Sequence, residues 1–335
     1  MKPVAVDVMG TDRGPAEIIA GARRARDELG VPILLVGQPE EMGDVSGFEV
    51  LAATEVIEPG DDPANGVRRK KDASVVRAAE AVRDGRASAM VSAGNTGAAM
   101  ASALLRMGRM SGVARPAIAT PIPVPGGTPT VLLDAGANAE CTSAWLVQFA
   151  QMGAVYASAR FGLDEPRVGL LSIGEEPSKG TPLVKETYPL LAEPGCLPPR
   201  ARFVGNVEGR DMMTDAADVV VTDGFTGNVT LKTLEGAARV LVGALMSAMT
   251  STPEAREATA ALMPVLAPLT VELDADSYGG AMLLGVQGVC IISHGSSSAR
   301  AVFNALGVAQ EMVQIDLVGQ LRQAIAAGSE LASRT

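Results

Sequence analysis

Three stretches of this 335-residue chain end an apolar run in a polar, Gly-rich or Ser-rich turn that opens a helical pattern. They are Ser92-Ala-Gly-Asn-Thr-Gly97, Asp223-Gly-Phe-Thr-Gly-Asn228 and His294-Gly-Ser-Ser-Ser298. A strand ending at a helix N-terminus in this way aims backbone N–H groups and the positive end of the helix dipole outward, a place to hold an anion. Three such turns predict one cleft built for phosphate. Its candidate phosphate ligands are Gly94, Gly97, Gly227, Ser296, Ser297 and Arg300, the last in the first turn of its helix. Candidates for contact with reacting groups are Asn95, Thr96, Lys185, Asn228 and His294. His294, the single histidine, reads equally as an acid or base and as a turn residue. Any one of these turns alone reads as an ordinary helix cap. The case rests on their number, because seven apolar runs end in polar loops.

Other chemistries lack their residues. The dinucleotide pattern G-x-G-x-x-G, the P-loop and the G-x-S-x-G elbow are missing. A His-x4-Asp acyltransferase pair would need Asp where Ala299 stands. Cys141 is a possible nucleophile, but a small packed cysteine is the commoner case. Cys141, Cys196 and Cys290 form no CxxC pair, so neither zinc nor a disulfide framework is expected, and no cofactor is. A net charge of −10 and 3% aromatic residues argue against nucleic acid as a partner. Apolar runs are broken before the roughly 18 residues a membrane span needs. Met1-Lys2-Pro3 leads directly into a short strand with no signal segment, so a cytoplasmic protein is expected.

These loops must be positioned by the elements between them. Apolar β-rich runs fall at Val4–Val8, Pro32–Val36, Ala89–Ser92, Ala117–Ile122, Thr130–Asp134, Val168–Ile173, Ala201–Val204, Val219–Asp223 and Val289–Ser293. Helical patterns fall at Ala16–Leu29, Ser74–Asp84, Thr96–Met107, Ser143–Phe161, Thr181–Leu191, Gly227–Met249 and Ala299–Ala326. Alternation of this kind predicts an α/β fold with a largely parallel sheet, whose ligands bind beyond the carboxyl ends of the strands. One α/β domain is expected over residues 1–327, with a fraying tail at 328–335. Within the domain, Val240–Leu269 has no strand beside it and reads as a projecting helical hairpin, its second helix ending at Pro264 and Pro268. Stripes of Leu241, Leu245 and Met249, and of Leu262, Val265, Leu266 and Leu269, ask for a partner hairpin to cover them.

The motifs together resemble the bacterial acyl-carrier-protein:phosphate acyltransferases, the PlsX family. The matching stretches include Asp7-Val-Met-Gly10 with Asp12, Arg68-Arg-Lys-Lys71 with Ser74, and Ser92 to Ala98. They continue with Gly136-Ala-Asn138 and Cys141, Ile173-Gly-Glu-Glu176, and Asn206-Val-Glu-Gly-Arg-Asp211. Asp223–Asn228 is followed by Leu231-Lys-Thr-Leu-Glu-Gly236, then by Tyr278-Gly-Gly-Ala281 and His294-Gly-Ser-Ser297 with Arg300. The resemblance covers Val4 to about Val313. It departs at Thr11, where the family has Gly, at Arg13, where it has His, and at Ala73, where it has Ser. A catalytic role for that loop histidine therefore has no residue here.

The resemblance implies a three-layer α/β/α fold like that of isocitrate and isopropylmalate dehydrogenases. It implies conversion of acyl-acyl-carrier-protein and inorganic phosphate to acyl phosphate, the first step of phospholipid synthesis, without cofactor or metal. It also implies a homodimer, loose peripheral association with the inner membrane face, and a membrane glycerol-3-phosphate acyltransferase as partner. Glu254, Arg256 and Glu257 crowd the hairpin tip and leave it no basic-aromatic face for lipid. An acidic carrier docking on an acidic chain needs a local basic patch. Arg68, Arg69, Lys70 and Lys71 are the first candidates, with Arg23, Arg24 and Arg26 behind them. The rival readings are a non-catalytic lipid-synthesis scaffold and a metal- and NAD-dependent dehydrogenase, for which Asp211, Asp215 and Asp218 could imitate a metal cluster.

Overall fold

The structure, a computed structural model, describes residues 1–58 and 60–332. In chain order its strands are β1 (Val4–Asp7), β2 (Ile33–Gly37), β3 (Glu49–Ala52), β4 (Ala89–Ser92), β5 (Ala117–Ile122), β6 (Thr130–Leu133), β7 (Arg167–Ser172), β8 (Arg202–Glu208), β9 (Val219–Val221), β10 (Ala281–Leu284) and β11 (Val289–Ile292). The helices are α1 (Pro15–Leu29), α2 (Pro63–Arg69), α3 (Ser74–Arg83), α4 (Thr96–Ser102), α5 (Ser143–Phe161), α6 (Pro182–Ala192), α7 (Gly224–Met249), α8 (Pro253–Glu272), α9 (Ala299–Gln314) and α10 (Leu317–Ala332). Ala103–Met107 extends α4 as a π turn.

Among the described residues the eleven strands form one sheet in the order β3-β2-β1-β4-β11-β10-β5-β6-β9-β7-β8. Its central strands are buried throughout, as strands covered on both faces must be. Two apolar clusters, one on each face, make the core. The layers are therefore helix, sheet and helix.

Strand direction divides the sheet. The strands β3, β2, β1, β4 and β11 run parallel to one another, as do β6, β9, β7 and β8. Between these groups β11, β10, β5 and β6 pair antiparallel in three successive steps. Three reversals set the two groups in opposite directions. Their carboxyl ends open on opposite edges of the sheet, so the strand ends do not converge on one edge as expected.

Several boundaries also differ from the sequence reading. The strands β3 and β10 and the helix α2 were not expected, because each is short and carries little periodicity. The run expected to end at Val204 continues to Glu208, with a register shift against β7 and Gly205 at φ +94°. The β-bulge leaves Val204 unpaired and returns Gly205 to the ladder opposite Gly169, so the polar stretch after Val204 is ladder rather than loop. Helix α8 runs through Pro264 and Pro268 to Glu272. The long helix expected from Ala299 breaks at Asp316, which has φ +48° and whose carboxylate accepts from the Gly319 N–H in α10. Helix α10 extends to Ala332, within the segment expected to fray, and residues 333–335 lie outside the described residues.

Candidate functional site

At the first edge, the end of β1 carries Asp7, fully buried beneath the turns of Gly10 and Gly94. Its carboxylate accepts from Ser92 Oγ at 2.7 Å and from the Met9 N–H at 3.3 Å. Burial pushes the Asp7 carboxyl up to about 6, against the pull of hydrogen bonds from Ser74, Ser92 and Met9. Asn95 Oδ1 caps α4 by accepting from Ala98 N–H, and Asn95 Nδ2 donates to the Glu58 carbonyl. Thr96 is exposed in the first turn. A cavity of about 280 Å³ lies alongside, lined by Met9, Gly10, Thr11, Gln38 and Glu58.

The His294 loop completes this edge, and here the helix end is less open to an anion than its sequence suggests. Ser298, rather than Ser296 or Ser297, caps α9. Glu17 Oε2 accepts from the Ala299 N–H at 2.7 Å, so a carboxylate already occupies the helix end. Ser296 is exposed and Ser297 is buried. The Arg300 guanidinium is committed to Asp274 and to Ser277 Oγ.

At the opposite edge, buried Asp134 organises the loop after β6. It accepts from the N–H groups of Ile118, Gly136, Ala137 and Asn138 and from the Asn138 amide. The Gly224 N–H then donates to the Asn138 carbonyl at 2.8 Å, locking this loop to the start of α7. Asp223 caps α7 with both carboxylate oxygens, accepting from Thr226 N–H and Thr226 Oγ1 at 2.8 Å. Its charge thus satisfies part of the helix dipole that a ligand would otherwise meet. Asn228 stands against Gly136, where an added side chain would lie 3.5 Å away. Lys185 is exposed in the first turn of α6, after the end of β7. Cys141 packs behind this loop, where burial pushes its thiol up to about 11. A thiol held there is not a ready nucleophile.

Helix α7 joins the two edges. It starts beside Gly136 and reaches the His294 loop within three turns. Asn228, Lys232 and Glu235 fall on one stripe of it, at spacings of four and three. Lys232 Nζ lies 2.9 Å from Glu235 Oε2 and 3.4 Å from His294 Nε2, and His294 Nε2 lies 3.3 Å from Glu235 Oε1. Burial alone would raise the Glu235 carboxyl, but hydrogen bonds from His294 and Lys232 hold it down to about 2. Sequence reasoning missed Lys232 and Glu235. The available signal was their i, i+3 pairing one turn beyond Asn228.

The remaining candidates are dispersed. Arg68, Arg69 and Lys71 are exposed, whereas Lys70 is withdrawn onto Asp61 at 2.6 Å and the Val56 carbonyl at 2.7 Å. Arg23, Arg24 and Arg26 each sit in a surface ion pair. Asp215 and Asp218 clamp Arg167, and Asp211 caps a turn by accepting from the Glu208 N–H, so the three aspartates of the dehydrogenase reading hold the fold instead. Among the described residues no group of three or more His, Cys, Asp or Glu could hold a metal ion. A larger cavity of about 450 Å³ between α6 and β8, lined by Tyr188, Leu191 and Phe203, lies among other residues.

Residues 2–320 match a family described as "Fatty acid synthesis protein". The chain is 47% identical to a phosphate acyltransferase of Elusimicrobium minutum, covering 98% of this chain and 97% of that one. It is 46% identical to one of Desulfitobacterium hafniense, covering 96% and 97%. Among solved structures it resembles a branched-chain phosphotransacylase of Enterococcus faecalis, with TM-score 0.59, 18% identity and 93% and 99% of the two chains covered. A 4-hydroxythreonine-4-phosphate dehydrogenase of Klebsiella pneumoniae gives TM-score 0.53 at 13% identity, covering 94% and 100%. These two likenesses show the fold, one shared by phosphotransacylases and a dehydrogenase.

Proposed function

The chain belongs to the phosphate acyltransferase family and is an acyltransferase with a role in lipid synthesis, and on that basis we propose that it makes acyl phosphate from acyl-acyl-carrier-protein and inorganic phosphate. A phosphate oxygen attacks the thioester carbonyl. The carbon–oxygen bond forms, the carbon–sulfur bond breaks, and the carrier leaves as a thiolate that takes up a proton. The reaction is reversible and opens phospholipid synthesis. Phosphate is itself the nucleophile, and a thiolate of ordinary pKa near 8.5 leaves readily. The protein must position two charged reactants and stabilise the oxyanion that develops.

The observation that carries this reading is α7 crossing from Gly136 to His294, so that one helix face spans both sets of loops. Asn228 serves as oxyanion donor, with Lys185 at the same edge. Gly94, Asn95, Thr96 and Gly97, with His294, Ser296 and Ser297, line the opposite wall. Gly227 lets the α7 backbone approach the Asp134 loop. Arg300 would share an anion with Asp274 and Ser277, which take its Nη2.

The carrier docks through Arg68, Arg69 and Lys71, while Lys70 holds the loop that presents them. The hairpin α7–α8 pairs with that of a second copy. Its tip binds a membrane surface weakly, where a glycerol-3-phosphate acyltransferase would take the product. No helix among the described residues is long and apolar enough to cross a membrane, which fits a peripheral contact.

Purified protein incubated with acyl-carrier thioester and phosphate, with and without EDTA, should yield acyl phosphate, trapped as the hydroxamate, in both cases. Carrier binding without product would favour the scaffold reading instead.

A further inference from the structure

Lys232 is the cation nearest the middle of the stripe that joins the two edges. We propose that Lys232 is a phosphate ligand of the acyl-transfer site, an inference that rests on the activity proposed above. An ammonium carries three N–H donors. One points to Glu235 at 2.9 Å; His294 Nε2, 3.4 Å away, gives its own proton to Glu235, which leaves the ammonium further donors without a protein acceptor among the described residues. The Lys232 side chain is 49% exposed and Glu235 only 18%, so the anchor is sheltered while the cation is open to solvent. Hydrogen bonds from His294 and Lys232 hold the Glu235 carboxyl down to about 2, so an ionised carboxylate lies beside the ammonium at neutral pH.

Alternatives for the role are weaker. Arg300 is held by Asp274 and Ser277, and Lys70 by Asp61 and a backbone carbonyl. The bland reading of Lys232 is a surface i, i+3 ion pair worth a few tenths of a kcal/mol. Three features set it apart. Asn228 lies one turn upstream on the same stripe, His294 shares the same carboxylate, and Leu231 and Leu234, on the side flanking that stripe, pack α7 into the core. A phosphate held here sits between His294 and Asn228, the two walls that the reaction needs close together.

The test compares Lys232→Met, Lys232→Gln and Lys232→Arg with wild type. Phosphate KM and kcat are measured with acyl-carrier thioester, and phosphate Kd is measured directly by titration calorimetry without thioester. Both neutral variants should raise phosphate KM and Kd by about tenfold, the scale of one charge-assisted hydrogen bond. The KM for the carrier thioester should stay unchanged, and arginine should recover most of the loss. The side chain is half exposed, so folding should be intact, as a thermal melt will show. Phosphate KM and Kd within twofold of wild type in both neutral variants would overturn the proposal, and so would a kcat loss at unchanged Kd. If wild type binds phosphate through Lys232 yet makes no acyl phosphate, the activity reading fails and only the phosphate contact stands.

Discussion

At Asp7 and Gly227 the site is built by single atoms whose energetic consequences can be measured. Asp7 is a buried carboxyl with its affinity for a proton raised from an ordinary 3.8 to about 6. Between those values the folded state binds more protons than the unfolded one, so stability falls as pH rises from about 4 to 6. The difference corresponds to about 3 kcal/mol. Asp7→Asn should remove that component, which urea titrations at pH 4, 5, 6 and 7 will resolve. Parallel pH profiles for the two proteins would show that Asp7 does not carry it. Gly227 faces a different constraint. A methyl group there would collide with the Asp134 carbonyl oxygen. Gly227→Ala should therefore cost about 1–3 kcal/mol or more and lower Tm by several degrees, because backbone on both sides must move. An unchanged melting curve would mean that the α7 start is freer than its packing indicates. The conformational demand on Gly227 is invisible in sequence, because only the folded loop brings Asp134 to it.

The elements show how a local pattern becomes a surface. The helices α7 and α8 are tied near their shared tip by Thr259 Oγ1 donating to the Met249 carbonyl. Val240, Leu241, Leu245, Leu262, Val265 and Leu269 nonetheless remain exposed on them, Val265 at 75%. Each apolar side chain of this size is worth about 1.5–3 kcal/mol when removed from water, so a partner hairpin has ample reason to bind. A triple variant, Leu241→Ser, Leu245→Ser and Leu262→Ser, should stay folded and sediment as a monomer where wild type sediments as a dimer. A dimeric triple variant would place the contact elsewhere. The apolar stripes were legible in the sequence. The continuation of α8 through two prolines was not, because along the sequence a proline reads as a helix stop.

For the whole molecule the governing quantity is charge. A net charge of −10 repels an acidic carrier at long range, although salt limits that repulsion to about 8–10 Å. In the proposed docking Arg68, Arg69 and Lys71 would supply local attraction, while Lys70 is paired with Asp61. The double variant Arg68→Glu, Arg69→Glu should raise the KM for carrier thioester by about tenfold at low salt and less at high salt. Its phosphate KM should not move. An unchanged carrier KM at every ionic strength would move the docking surface away from α2.

The sequence by itself determined the alternation of strands and helices, the apolar stripes of the hairpin, the polar loops at the strand ends and the family. All of these are carried by neighbours within one turn or one strand, or by motifs in a fixed order. Only the tertiary structure decided that the two strand groups run in opposite directions, since three antiparallel pairings between distant segments set that relation. It decided which polar groups are already used: Glu17 at the start of α9, Asp274 on Arg300, and Asp223 on its own helix. It also placed Lys232 and Glu235 against a histidine about sixty residues away. A side chain's partners depend on where the sheet carries remote segments, and periodicity along the chain holds no record of that.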